Sequence, residues 1–166
     1  MTDGQTGGEQ VFLVPIDGSH FERTVSSPVD LADHPDRPAE LPDTGEARLW
    51  GVEDGTRSVE TFERIEAGDL LLFYEGGTYV GVGRAGLTFE DEAGWASETF
   101  WDGADREYVF TVTDFSPLSI PRAAVHRLFD YGADYAPGFT RVAPDRVTAS
   151  VQAIQLAVKR YDERQA

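Results

Sequence analysis

The chain has 166 residues, 40% of them apolar, enough for the core of one domain. It carries 30 acidic against 14 basic residues, a net charge of −16, and no cysteine, which excludes disulfides, iron–sulfur clusters, thiolate zinc sites and cysteine nucleophiles. No apolar run approaches the ~20 residues of a membrane span, and MTDGQTGGEQ has neither the basic start nor the apolar stretch of a secretory signal, so a cytoplasmic location without a membrane partner is expected.

The acids are spread as singles and pairs, and Lys159 is the only lysine. That spread reads as a whole-surface adaptation to molar salt. At ~1 M salt the Debye length is about 3 Å, so a nucleic-acid binder there must work by stacking, hydrogen bonds and shape. An acidic balance therefore does not exclude such a partner.

In chain order, residues 1–10 are polar and Gly-rich and are expected to form a disordered tail. Val11 to Ile16 is the first strand, with Pro15 marking an edge or an end. Asp17-Gly18-Ser19-His20 is a turn, and Phe21 to Ser27 a helical turn or irregular arm. Asp33 to Gly45, with three prolines, is a surface loop. Leu49 to Val52 is a strand whose Gly-flanked backbone suits presentation of Trp50 to a ligand. Ser58 to Ile65 is helical, with Val59, Phe62 and Ile65 on one face. Leu70 to Tyr74 is a strand apolar on both faces, Gly76-Gly77 closes a hairpin, and Thr78 to Gly83 is its return arm. Ala85 to Gly94 is a strand end and loop, and Gly94 to Gly103 an aromatic loop. Tyr108 to Thr113 is a strand, Phe115 to Pro121 an extended connection and Arg122 to Tyr131 a short helix. Gly132 to Gly138 is a loop, Phe139 to Val142 a last strand, and a helix lies within Pro144 to Tyr161, leaving 162–166 as a tail. The sum is a single α+β domain over 11–161, a small mixed-sheet pseudobarrel with short flanking helices.

Catalytic signatures are missing. Gly81-Val82-Gly83-Arg84-Ala85-Gly86 fits GxGxxG, but no helix or βαβ unit follows; its glycines suit close packing in a curled sheet. His20, His34 and His126 share no metal-ligand spacing. Asp17, Ser19 and His20 are too close in sequence to supply triad geometry by themselves. Carboxylate pairs such as Glu53-Asp54 are expected on any solvated face at this charge. No enzyme, metal or cofactor is expected.

The arrangement Leu49-Trp50-Gly51, a short helix, Gly68-Asp69-Leu-Leu-Leu-Phe73-Tyr74, Gly76-Gly77 and Tyr79-Val-Gly81-Val-Gly83 resembles the core of EVE and YTH domains of the PUA-like superfamily. Val11 to Asp17 is similar to the first strand of YTH-type readers, whose end carries a polar residue facing the base. Trp101 stands in the loop where they place a second tryptophan, and Tyr108 to Pro121 is similar to their following strand. The match runs roughly over 11–139. The resemblance implies a PUA-like pseudobarrel that captures one flipped, modified base, often beside a nuclease or motor domain in modification-dependent restriction. The basic, Asn-rich helix of YTH domains is not matched: Arg57 to Phe62 and its flank offer only Arg57 and Arg64.

A flipped base needs flat apolar walls and hydrogen-bonding groups for its edge. The wall candidates are Trp50 and Trp101, with Trp95 the alternative second wall. Tyr74 and Phe115 are further pocket candidates, Asp17 is the acceptor for a base N–H, and Ser58 is a lesser polar candidate. Asp17 also suits a turn before Gly18. Arg23, Arg57, Arg84 and Arg122 are the phosphate candidates. The resulting expectation is a non-catalytic reader of a methylated base, in DNA before RNA, serving restriction or defence. The alternatives are a PUA-like RNA-binding module in RNA modification or translation, and a haloadapted protein-interaction domain. An ASCH-like hydrolase would need a Lys–carboxylate constellation, and the one lysine lies in the terminal helix.

Overall fold

A computed structural model describes residues 9–53, 55–133, 135 and 137–165. The chain forms two compact units, one of Met1–Ile16, Glu66–Ala85 and Asp114–Ala166, the other of Asp17–Ile65 and Gly86–Thr113. Neither is a contiguous piece of sequence. The elements are β1 (Val11–Pro15), α1 (Gly18–Phe21, continued by a π turn at Glu22–Ser26), β2 (Val29–Asp30), β3 (Glu46–Val52), α2 (Thr56–Glu63), β4 (Leu70–Glu75), β5 (Thr78–Glu90), α3 (Trp95–Phe100), β6 (Tyr108–Pro121), α4 (Arg122–Arg127), β7 (Thr140–Arg141) and α5 (Val151–Gln165). The strands hydrogen-bond in the order β2-β3-β6-β5-β4-β1-β7, and the sheet is mixed because β1 runs parallel to β4. The α+β class is as expected.

In the first unit, β4 lies between β1 and β5, and Leu70 to Phe73 are fully buried. That is why this stretch is apolar on both faces. The hairpin to β5 turns at Gly76, whose φ of +60° suits glycine. β1 is not an edge strand: β7 pairs with its other side, and Pro15 sits at its last position. Gln10, expected in the tail, is tied down. Its N–H and its side-chain amide both donate to the buried Asp69 carboxylate, at 3.1 and 2.8 Å. Residues 1–8 of that expected tail lie outside the described residues. At the other end, α5 continues to Gln165, so 162–165 are helix rather than tail. Val151, Ile154 and Val158 of α5 complete the core with Leu118, Ile120 and Phe129.

His126 is buried here. Its Nδ1 faces the Gly132 carbonyl at 3.3 Å, which can only accept, so Nδ1 carries the proton. Nε2 then accepts from the Tyr79 hydroxyl at 2.7 Å. Burial, with Arg122 nearby, pushes the imidazole below its ordinary 6.5, against the Gly132 carbonyl. The unfolded chain then binds more protons than the folded one below about pH 6.5, so stability is full above that value and falls as the pH drops. Thermal unfolding between pH 7 and pH 5.5 should show that decline. His126→Gln, which cannot titrate, should be less stable at pH 7 but flatter across the same range. An equal slope in both proteins would refute this role for His126.

In the second unit, β3 pairs antiparallel with β6, setting Trp50 opposite Phe110 and Gly51 opposite Val109. Phe62 of α2 packs on Tyr108 with ring centroids 5.4 Å apart. Three expectations need correction. Residues 95–100 are helix, not loop: Gly94 takes a left-handed φ of +73°, and the Asp91 carboxylate accepts from the Trp95 and Ala96 N–H groups, at 3.2 and 2.8 Å. β5 and β6 each run on, to Glu90 and Pro121, through segments expected as loop and connection. α4 stops at Arg127, short of Tyr131. The third glycine of the GxGxxG string lies inside β5, where an added Cβ at Gly86 would stand 2.2 Å from Thr111 Oγ1. Close strand packing accounts for it.

Candidate functional site

The second unit gathers its chemistry around Trp50, midway along β3. The Trp50 ring meets Phe21 of α1 edge-on at 5.6 Å and 73°, and Trp101 at 5.7 Å and 64°. Trp101 directly follows α3. Its indole N–H donates to Thr24 Oγ1 at 3.3 Å, and the Thr24 hydroxyl donates to the Leu49 carbonyl at 2.6 Å. Thr24 thus ties the second tryptophan to the strand that bears the first. Gly51 makes the approach possible, since a Cβ there would stand 2.7 Å from Trp101 Cζ3 and 3.0 Å from Arg106 Cβ. Trp50 is 2% exposed and Trp101 fully buried. The expectation that Trp50 is presented rather than buried is therefore corrected. Its strand is paired on the β6 side and its ring is packed by two aromatics.

Arg106 closes the cluster. Its guanidinium carbon lies 4.5 Å from the Trp50 ring centroid and 5.7 Å from that of Trp101, within cation–π reach of both. Its NH2 donates to Asp17, which caps α1 by accepting from the His20 N–H at 3.0 Å. Burial works to raise the Asp17 pKa, but the hydrogen bonds from Arg106 and His20 and their charges outweigh it, so the carboxyl sits below its usual range. Asp17 is an ionised, acceptor-only group at neutral pH. Beside it, Asp102, at a left-handed φ of +57°, accepts from Arg23 at 3.0 Å and faces His20 Nε2 at 3.2 Å. The Arg23 hydrogen bond is the main cause holding the Asp102 carboxyl low.

Neither the protein-family models nor the curated proteins contain a match to this chain. Among solved structures it is similar to the YTH domain of the Zygosaccharomyces rouxii MRB1 protein, solved in complex with N6-methyladenosine RNA. The identity is 14% and the TM-score 0.55, over 92% of this chain and 88% of that one. The fold is YTH-like. The expected resemblance thus holds at the level of the fold.

Within this fold the candidates separate. Trp50, Trp101 and Asp17 come together, joined by Arg106. Trp95 lies apart from them: its indole N–H donates to Asp36 at 3.3 Å, and its ring packs edge-on against His34 and Phe100. It anchors the Asp33–Gly45 loop. Tyr74 and Phe115 belong to the other unit, where Tyr74 accepts from the Gly138 N–H at 3.0 Å and Phe115 packs on Phe73. Ser58 is half-buried, and Arg57 exposed, in the first turn of α2. Of the other phosphate candidates, Arg23 is held by Asp102. Arg84 donates to Gln155 and Gly68, and Arg122 to the Ala133 carbonyl, both in the first unit. Sequence reasoning missed Arg106, Thr24 and Phe21. No local spacing marks them, since Arg106 meets Asp17 across 89 residues.

Proposed function

We propose that this chain is a non-catalytic reader that stacks one methylated base on Trp50, with Trp101 beside it and Asp17 accepting from the base edge. The observation that carries the reading is the Trp50–Trp101–Asp17 cluster within a YTH-like fold. An ionised carboxylate can only accept, so it favours a base edge that offers an exocyclic N–H, as adenine and cytosine do, over one that offers a carbonyl. N6-methyladenine keeps one such N–H beside its methyl group. The solved neighbour holds N6-methyladenosine RNA, which makes RNA the first strand to test. DNA as the strand, a restriction or defence role and an associated nuclease or motor domain come from the sequence resemblance. So does closure of the mixed sheet into a PUA-like pseudobarrel, while the adaptation of the acidic surface to molar salt rests on the excess and even spread of the acids.

The test is a binding panel of RNA and DNA strands, with N6-methyladenine, 5-methylcytosine or neither, measured in molar salt. Tighter binding of one methylated strand supports the reading, and the sugar it prefers decides between RNA and DNA. Equal affinity for methylated and plain strands overturns it.

A further inference from the structure

We infer that Arg106 occupies the aromatic site in the resting protein and is the residue an incoming base displaces, so that it sets the absolute affinity of the site. The inference rests on the reader function proposed above. Three observations meet on this side chain. Its guanidinium lies over Trp50 at 4.5 Å, the surface on which a base would stack. Its NH2 holds Asp17, the acceptor that would read the base edge. Among the described residues its NH1 is buried without a hydrogen-bond partner, an expensive state for a charged donor. Arg106 thus uses both the wall and the acceptor of the site while one of its own donors finds no partner among the described residues. A guanidinium is planar and delocalised and stacks on aromatic faces, so it fills in cis the place of a flat ligand. The side chain is 12% exposed and its Asp17 partner 43%, so the pair is open to solvent at the Asp17 end.

The consequence for recognition is specific. Displacing Arg106 is the same step whichever base enters. It weakens methylated and plain bases by one common factor and leaves their ratio alone. The apparent dissociation constant is the intrinsic one divided by the fraction of molecules with Arg106 already out. Selectivity must then lie in the walls, and Arg106 sets the threshold that any base has to exceed.

The experiment uses the full chain and two variants, Arg106→Ala and Arg106→Gln, the second keeping a planar amide on a shorter stem in case the first does not fold. Tryptophan fluorescence is titrated with methylguanidinium chloride, which should bind saturably to Arg106→Ala and not to the wild type. Strands with and without N6-methyladenine should both bind the variants at least tenfold more tightly than the wild type, by the same factor and chiefly through faster association. Unchanged or weaker affinity in both variants, or a wild-type-like methylguanidinium response, overturns the inference; weaker affinity would make Arg106 a reader of the base. If methylguanidinium saturates the variant but no protein binds any strand, the place of Arg106 stands and the reader function fails.

Discussion

Trp101→Ala should lower stability by about 3–5 kcal/mol, the range for truncating a buried tryptophan. For a chain of this length that is a fall in Tm of about 6–20 °C. The indole is fully buried, and three groups depend on it. Trp50 would lose an edge-on ring neighbour. Thr24 Oγ1 would lose its indole donor, although the hydroxyl could still donate to Leu49. Gly51 has no side chain with which to fill the void, because its missing Cβ is what admits the indole. A site flanked by a glycine and by a strand backbone cannot collapse, so the upper half of the range is expected. Trp101→Phe should recover part of the loss by refilling volume without restoring the hydrogen bond. Chemical denaturation reads both numbers, and a loss under 1 kcal/mol for Trp101→Ala would show that the ring is not packed as described.

The same comparison shows how far the sequence could be read. The β4–β5 hairpin was legible because local features encode it: an apolar run of strand formers, two glycines, and alternation afterwards. Trp50 stands out in the sequence as a site candidate because few other features compete for the role, but its burial under Phe21 and Trp101 does not. The choice between Trp95 and Trp101 was harder. Both stood in what read as one aromatic loop, and the cap that makes it a helix comes from Asp91, outside the segment. Once that helix exists, six residues at about 100° each turn the two indoles to different sides. Trp95 then faces His34 and Asp36 while Trp101 faces Trp50. Arg106 was illegible for a different reason. It precedes a strand in an unremarkable polar stretch, and its role comes only from the register of β3 on β6 and the return of Asp17. Long-range pairing of that kind leaves no periodicity.

If the chain reads a methylated base as proposed, Trp50→Ala should weaken binding of the preferred methylated strand by about 5- to 150-fold, the equivalent of the ~1–3 kcal/mol that one base gains by stacking on an aromatic side chain. The loss divides into two parts that can be measured separately. One is the shared stacking energy, which falls for methylated and plain strands alike. The other is discrimination. Burying a methyl group is worth only about 0.8 kcal/mol, roughly fourfold, so any larger preference must come from a wall close enough to turn a missing methyl into a void. Removing the Trp50 face takes that wall away, and the ratio of the two affinities should fall to about fourfold or less. Trp50 is also packed against Phe21 and Trp101, so the variant will be less stable, and binding has to be measured where it remains folded. Trp50→Phe supplies the control for packing, since it keeps a ring against those neighbours with a smaller stacking face. Trp95→Ala supplies the control for place: it loosens the Asp36 and His34 contacts and should leave both affinities as they are. A Trp50→Ala protein that is folded and still prefers the methylated strand by the wild-type ratio would move the recognition wall elsewhere.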